Sequence, residues 1–271
     1  MSSVAILGCG PAGLLAAHAA TICGHSVTIF SKKQKSPMEG AQYMHVEIPD
    51  IDLHEPEIIK YVLIGTVDQY REKVYGSGDP DIVVSPAQYL GDHKCWDLRH
   101  TYDLLWERWR PRITNMAISQ SALEHITNMN DFVISTIPAP ALCQHDAHNF
   151  DYQPVWIDNL WSGPLPAEAP ELWESGHVVI CNGYEPDEAD FGRTGWYRTA
   201  NIYGHMNTEW SHAAYVPEGR ANGGGQLWRV RKPLESDCDC WPMIVRAGRY
   251  GLWRKGVLTH HVFEQVIKLL S

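Results

Sequence analysis

A glycine-rich turn joins an apolar run to an alanine-rich stretch near the start of the chain. Its spacing is G-x-G-x-x-G, with Gly8, Gly10 and Gly13 as the glycines. Gly8 can turn tightly out of a strand, Gly10 lets the backbone approach a pyrophosphate, and Gly13 lets the next helix pack closely on the sheet. That helix begins at Pro11 and Ala12, and the free N–H groups of its first turn favour an anion. These five residues are therefore predicted to bind a nucleotide.

The end of the following strand departs from the usual motif. Residues 24–30 predict this second strand at the expected βαβ distance. Where a carboxylate usually bonds the ribose, the chain has Ser31, followed by Lys32 and Lys33. The serine hydroxyl can still hydrogen-bond a ribose as a neutral partner. The lysines can bind the 2′-phosphate of NADP, or they can be ordinary solvent-exposed residues at the end of the strand. Ser31 and Lys32 are predicted cofactor contacts, and the identity of the ribose stays open.

Two later segments fit the same nucleotide-binding unit. Residues 131–138 predict a short, buried, β-branched strand that ends at a proline. Residues 243–270 predict a strand, a turn with the sequence Gly248-Arg249-Tyr250-Gly251, and an amphipathic last helix. Each segment alone indicates only a core strand or a capping helix.

In this order, the segments resemble the cofactor-binding elements of flavoproteins related to glutathione reductase, amine oxidase and UDP-galactopyranose mutase. The resemblance covers the first 45 residues, 131–142 and 243–270, and its Gly-Arg-x-Gly core is most similar to the mutase branch. It implies FAD as the cofactor, with the late turn facing the flavin. Besides the residues of the first turn, it implies cofactor contacts at Gln42, Gly248, Arg249, Tyr250 and Trp253.

The resemblance implies an α/β fold with two domains. A Rossmann-like FAD-binding domain would comprise residues 1–45, 131–142 and 243–271. An inserted α+β substrate domain containing an antiparallel sheet would comprise residues 46–130 and 143–242. Hydrophobic patterns predict helices and strands between the nucleotide-binding segments. The predicted helices are 67–75, 97–110 and 119–128, and the predicted strands are 61–65, 178–181, 196–203 and 226–231.

Catalytic residues are hard to predict because a flavin is its own electron sink. Lys255 follows the late turn, where a cation could approach the flavin edge. His45 ends a loop that in the related families runs past the FAD pyrophosphate, and a histidine there can move protons near neutral pH. His260 and His261 open the last helix, and at most one of them faces a site. Three arginines on predicted strands can hold an anionic substrate group: Arg198, Arg229 and Arg231.

Composition limits the partners. The 271 residues are 44% hydrophobic and 20% charged, which is typical of a soluble globular enzyme. A net charge of −10 disfavours direct binding to duplex DNA or to an anionic membrane. No apolar run is long enough to span a bilayer, so we expect a soluble protein with no membrane contact. The chain is short for this class of flavoprotein, which leaves room for a homo-oligomer whose second subunit completes the site.

Seven cysteines form no regular framework. Their odd number, the lack of a signal peptide and the place of Cys9 in the first glycine turn predict reduced thiols and a cytoplasmic protein. Cys238 and Cys240 are too close in sequence for a common zinc knuckle, while Cys143, His145 and His148 share one loop without an evident fourth ligand. No metal site is therefore predicted.

Three functions remain open. The first is FAD-dependent oxidation of a C–N or C–H bond, as in amine oxidases, in a small or nucleotide-linked substrate. The second is a non-redox flavoenzyme similar to UDP-galactopyranose mutase, and the third is a non-enzymatic nucleotide-binding subunit. The compact chain also resembles short flavoproteins carried by bacteriophages, some of which modify bases, so a modified nucleotide is one expected substrate.

Overall fold

The computed structural model describes residues 1–40, 42–51, 55–75, 90–159, 176–187, 194–216 and 227–271. The strands of this part are β1 Ser3–Leu7, β2 Ser26–Ser31, β3 Tyr43–Met44, β4 Glu57–Gly65, β5 Gly91–Asp97, β6 Ile113–Asn115, β7 Phe132–Ser135, β8 Phe150–Asp158, β9 His177–Gly183, β10 Trp196–Ile202, β11 His205–Trp210, β12 Leu227–Ser236 and β13 Ile244–Arg246. Its α-helices are α1 Pro11–Ile22, α2 Val67–Tyr75, α3 Leu98–Trp109, α4 Gln120–Met129, α5 Gly248–Leu252 and α6 His261–Leu270.

The first sheet is parallel and has the order β13-β7-β1-β2-β6. The chain runs outward from β1 through β2 to β6 and then returns to β7 on the other side of β1. This reversal makes a crevice at the carboxyl ends of β1 and β7, where doubly wound sheets bind ligands. Residues 4–7 of β1 are fully buried, as expected for a parallel strand covered on both faces.

The glycines of the first turn set how closely α1 approaches the sheet. A Cβ placed on Gly13 would lie 2.1 Å from the carbonyl oxygen of Gly8, so any side chain there would collide with backbone. Gly8 has φ +106°, a conformation that favours glycine. The predicted roles of both glycines in turning and packing are confirmed. Farther along α1, the ring of His18 packs on Phe263 of α6.

The second sheet has eight strands in the order β12-β8-β11-β10-β9-β4-β5-β3. Its paired strands run antiparallel except β4 and β9, which are parallel. The predicted antiparallel sheet is therefore a mixed sheet. Strands β3, β5, β8 and β11 were not predicted, while the three predicted helices form as α2, α3 and α4. The mixed α/β class with a parallel sheet is confirmed.

One segment lies in a different layer from the one predicted. The sequence assigned residues 46–130 to the substrate domain, yet β6 pairs with β2 and extends the parallel sheet. Helix α3 also contacts the first turn, because the Tyr102 hydroxyl donates to the carbonyl oxygen of Cys9 at 3.0 Å. Three residues are too few for a periodic pattern, so β6 could not be seen in the sequence. The rest of the domain division stays a prediction.

Within the described ranges, no helix is both long and apolar enough to cross a bilayer.

Replacing Gly13 by alanine tests the packing of α1 on β1. We expect Gly13→Ala to lower the free energy of unfolding by about 3 kcal/mol, because the added methyl must displace backbone. The matched control is Gly24→Ala, where φ is +81° but nothing lies within 4 Å of the new Cβ. That change should cost about 1 kcal/mol of backbone strain. Urea unfolding measures both, and equal losses would contradict this view of α1.

Candidate functional site

The first glycine turn is covered by the segment that follows β2. The Gly8 N–H donates to the Phe30 carbonyl at 3.0 Å, and the Cys9 thiol lies 3.4 Å from the Lys32 carbonyl oxygen. Gly10 caps α1 in an extended conformation without a side-chain hydrogen bond to the helix. The first N–H groups of an α-helix have no acceptor within the helix. The turn therefore presents free backbone donors at the crevice between β1 and β7.

The late glycine turn lies directly against this first turn. Gly248 has φ +74°, and a Cβ placed there would lie 3.1 Å from the Cβ of Ala12 and 3.2 Å from a methyl of Val262. A Cβ on Gly251 would lie 2.5 Å from the Ser135 carbonyl oxygen at the end of β7. The contact at Gly251 excludes a side chain, and the positive φ together with the close methyl groups disfavours one at Gly248. The two glycine-rich segments predicted to bind one cofactor are thus neighbours at the same crevice.

The other residues predicted around the late turn connect it to the second sheet. The Trp253 indole is buried and donates to the Asp151 carbonyl at 2.9 Å. The Lys255 N–H donates to the Leu234 carbonyl at 2.8 Å. Arg249 donates through Nε to the Val257 carbonyl at 3.0 Å, and Tyr250 is 36% exposed. In this structure Trp253 packs on β8, and its predicted contact with a cofactor stays a prediction.

A buried charge cluster occupies the second sheet near the loop before β3. Glu209 accepts from Arg198 Nη2 at 2.5 Å, from Lys232 Nζ at 2.6 Å and from the Tyr197 hydroxyl at 2.5 Å. Burial opposes ionisation of Glu209, but Arg198 and Lys232 outweigh it and hold the pKa of this carboxyl well below its usual range. Burial lowers the pKa of Lys232 to about 8, against the opposite effect of Glu209. We call these four residues the Glu209 cluster.

A β-bulge helps to assemble the Glu209 cluster. The register between β10 and β11 shifts between Trp196 and Arg198, so neighbouring residues of β10 both reach Glu209. Bulges commonly redirect side chains in this way near functional sites. Arg198 Nε is buried and has no hydrogen-bond partner among the described residues. One guanidinium donor of the cluster is therefore buried without a partner in the part of the chain that the structure describes.

The loop predicted to pass the cofactor borders this cluster. Gly40 is buried with φ +76°, and a Cβ placed on it would lie 3.4 Å from Glu209 Oε1. Arg99 holds the loop by donating to the Gly40 carbonyl at 2.6 Å. The Gln42 amide bonds the carbonyl of Glu39. The loop that carries Gln42 and His45 therefore lies beside the Glu209 cluster.

His45 belongs to a group of histidines from three separate segments. Its ring centroid lies 6.0 Å from that of His260 and 6.1 Å from that of His93. Burial, reinforced by His261 and His45, lowers the pKa of His260 to about 4. Burial and the neighbouring His93 also lower the pKa of His45. The imidazoles of His45 and His260 are therefore neutral near pH 7.

The remaining predicted residues divide between the crevice and the surface. Ser31 ends β2 half-buried and Lys32 is exposed directly after it, both at the carboxyl edge of the parallel sheet. Of the three predicted arginines, only Arg198 belongs to the Glu209 cluster. Arg229 and Arg231 are exposed and stack over Trp156 and Tyr152. These last two arginines are surface residues that shield aromatic rings.

Sequence reasoning missed Glu209, Lys232 and Tyr197. Strand β11 was not predicted, so Glu209 had no assigned face, and the bulge that aims Tyr197 leaves no mark in the periodicity. Lys232 could have been found from the sequence. Side chains alternate between the two faces of a strand, so Lys232 lies on the face of β12 opposite the exposed Arg229 and Arg231.

The chain matches no known family model and no curated protein. Among solved structures, a reduced UDP-galactopyranose mutase aligns with a TM-score of 0.61 and 12% identity over 100% of this chain and 93% of that chain. Tar14, a tryptophan C-6 flavin-dependent halogenase of taromycin biosynthesis, aligns with a TM-score of 0.54 and 11% identity over 100% and 72%. The tryptophan 6-halogenase SttH of Streptomyces toxytricini aligns with a TM-score of 0.54 and 12% identity over 98% of this chain and 72% of that chain. The chain therefore has a fold found in flavoenzymes, as predicted.

Removing the Glu209 carboxylate should strongly destabilise the second sheet. Glu209→Gln leaves Arg198 and Lys232 buried without their counter-ion, and we expect a loss of about 3 kcal/mol or more in the free energy of unfolding. The control Glu235→Gln changes an exposed carboxylate of β12 and should have little effect. Chemical denaturation compares the variants, and similar stability of both would contradict a tightly coupled cluster.

The buried histidines should make stability depend on pH. Because the pKa of His260 falls to about 4 on folding, the unfolded chain binds more protons as the pH drops from neutral towards 4, and stability declines. His260→Gln should reduce this decline, measured as the urea midpoint at pH 7 and pH 5. His125→Gln, at an exposed position of α4, is the control. An unchanged pH slope in His260→Gln would show that His260 does not contribute.

Proposed function

We propose that this chain binds FAD and is a flavin-dependent enzyme that oxidises a C–N or C–H bond of a small anionic substrate. The observation that supports this most strongly is the contact between the Gly248 turn and Ala12, at the first turn of α1. It brings a pyrophosphate-type turn and a second glycine turn to one crevice. A cofactor with an adenine nucleotide at one end and a flavin at the other fits such a pair of turns.

The residues at the crevice fit FAD. Gly10 has no side chain to hold a pyrophosphate away, and the N–H groups of Ala12 and Gly13 open α1. Ser31 offers a hydroxyl at the end of β2, where the ribose of a bound nucleotide lies in such folds. Gly8, Pro11, Lys32 and Gln42 complete the predicted nucleotide side. Gly248, Arg249, Tyr250 and Trp253 form the predicted flavin side.

The Glu209 cluster is the proposed anchor for the substrate. Glu209 contributes one negative charge, against positive charge on Arg198 and Lys232, and Arg249 adds to the local field. The excess positive charge favours a carboxylate or phosphate on the substrate. A modified nucleotide that carries an amine satisfies both this requirement and the proposed reaction.

Bound flavin would supply the electron acceptor. His45 is the proposed proton acceptor, since its lowered pKa keeps the imidazole neutral at pH 7. Lys255 is proposed as a cation near the flavin edge. Its backbone hydrogen bond to Leu234 fixes it beside β12. Both roles are assigned from position and charge.

A second candidate is a non-redox flavoenzyme that rearranges a nucleotide sugar. The Gly-Arg-Tyr-Gly turn and the similarity in fold to a UDP-galactopyranose mutase over 93% of that chain favour it. The positive Glu209 cluster also suits a diphosphate.

Cofactor binding is tested on the purified protein. We expect a yellow protein whose heat-released ligand is FAD, at about one molecule per chain. Gly10→Val should lose most of this flavin, because the side chain blocks the pyrophosphate, whereas Gly24→Ala should retain it. A colourless protein that also fails to bind added FAD would contradict the proposal and favour a non-enzymatic subunit.

The reaction is tested with the flavin-loaded protein under anaerobic conditions. Oxidation predicts that anionic amines, including aminated nucleotides, bleach the flavin absorbance, and that His45→Gln slows the bleaching at least about tenfold. His125→Gln should bleach at the wild-type rate. Turnover of a nucleotide sugar only after chemical reduction, with no bleaching by any amine, would favour the mutase-like alternative.

A further inference from the structure

Four metal-ligating side chains that the proposed flavin site does not use meet in one cluster. Cys143 and His148 lie in the loop between β7 and β8, and Cys238 and Cys240 lie between β12 and β13. Their ligand atoms all lie within 4.8 Å of one another. The sequence showed no fourth ligand because 97 residues separate Cys143 from Cys240. His145, the third candidate of the first loop, is exposed and outside this set.

The distances fit one tetrahedral ion. Cys143 Sγ lies 4.0 Å from Cys240 Sγ, and His148 Nδ1 lies 3.3 Å from the first sulfur and 3.6 Å from the second. Around zinc, with Zn–S bonds of about 2.3 Å and a Zn–N bond of about 2.0 Å, tetrahedral geometry separates two sulfurs by about 3.8 Å and sulfur from nitrogen by about 3.5 Å. These three ligand atoms therefore already stand at nearly the required separations, and Cys238 Sγ lies within 4.8 Å of each of them.

The surroundings of the four side chains suit bound thiolates. Three thiolates and one neutral imidazole around Zn²⁺ carry a net charge of −1, and Arg246 Nη2 lies 3.2 Å from Cys238 Sγ to offset it. The Gln144 N–H points at Cys240 Sγ at 3.4 Å. Asp239 lies 3.6 Å from His148 Nε2, the ring nitrogen that faces away from the sulfurs. A carboxylate beside the outer nitrogen commonly orients a metal-bound histidine.

We propose that Cys143, His148, Cys238 and Cys240 bind a single structural zinc ion. Three cysteines and one histidine form a closed ligand set of the kind used for structural zinc. Binding would release three thiol protons to solvent and form three Zn–S bonds and one Zn–N bond. A disulfide is a poorer account of the site, because Cys143 and Cys240 are both free and their sulfurs are 4.0 Å apart.

The ion would fix the segment that leads to the late glycine turn. Arg246 donates to the carbonyls of Cys238 at 3.0 Å and Cys240 at 2.8 Å, and Gln265 of α6 donates to the Arg246 carbonyl at 2.9 Å. Two residues after Arg246, the chain enters the turn at Gly248. The zinc site thus ties the loop after β7 to the last segments of the parallel sheet.

Metal content of protein purified under reducing conditions tests the site. Elemental mass spectrometry should find about one zinc ion per chain in the wild-type protein. The zinc content of His148→Ala and of Cys238→Ser should be less than about a tenth of the wild-type content. His145→Ala, which removes the neighbouring exposed histidine, should keep the wild-type zinc content. Zinc-free wild-type protein, even after zinc is supplied, would overturn the proposal, as would equal loss in His145→Ala.

A second measurement on the unaltered chain does not depend on how the variants fold. With zinc bound, Cys143, Cys238 and Cys240 should resist alkylation, and a chelator should expose all three while lowering the melting temperature. Cys23, which lies outside the cluster, should react equally in both states. Co²⁺ in place of zinc should give the intense visible bands of tetrahedral thiolate coordination. Alkylation that a chelator leaves unchanged, or a disulfide between these cysteines, would contradict the site.

Discussion

The structure depends on a backbone approach that only glycine permits. Gly248 sits against Ala12 at the start of α1, and Gly251 sits against the Ser135 carbonyl at the end of β7. A Cβ on Gly251 would collide with backbone, and a side chain at Gly248 would be strained by its φ of +74° and would press on Ala12 and Val262. Because both contacts are made, the last segment of the chain returns to the first turn, and the crevice of the parallel sheet is lined by two glycine turns rather than one.

The second sheet holds the late turn and the Gly40 loop in place. Trp253 and Lys255 are fixed to β8 and β12, and the Gly40 loop lies on Glu209. Buried charges are stabilising only when paired, so the Glu209 cluster positions its arginine and lysine firmly. In the proposed reaction His45 accepts a proton beside this cluster, and its lowered pKa keeps it from adding a competing positive charge at pH 7.

Much of the fold could be predicted from local patterns, but the site could be predicted only in part. The motif around Gly8 and the turn at Gly248 depend on short sequences with specific steric demands, and both were recognisable. Glu209 and Tyr197 meet through a β-bulge, and Cys143 meets Cys240 across 97 residues. Such pairings arise from strand register and loop closure, which hydrophobic periodicity does not encode.

The central claim is that one bound cofactor touches both glycine turns. A crystal structure of the protein with FAD tests it most directly. We predict the pyrophosphate on the N–H groups at the start of α1 and the isoalloxazine in van der Waals contact with the backbone of residues 248–251. An isoalloxazine far from that turn, or a crevice that accepts only a pyridine dinucleotide, would contradict the account.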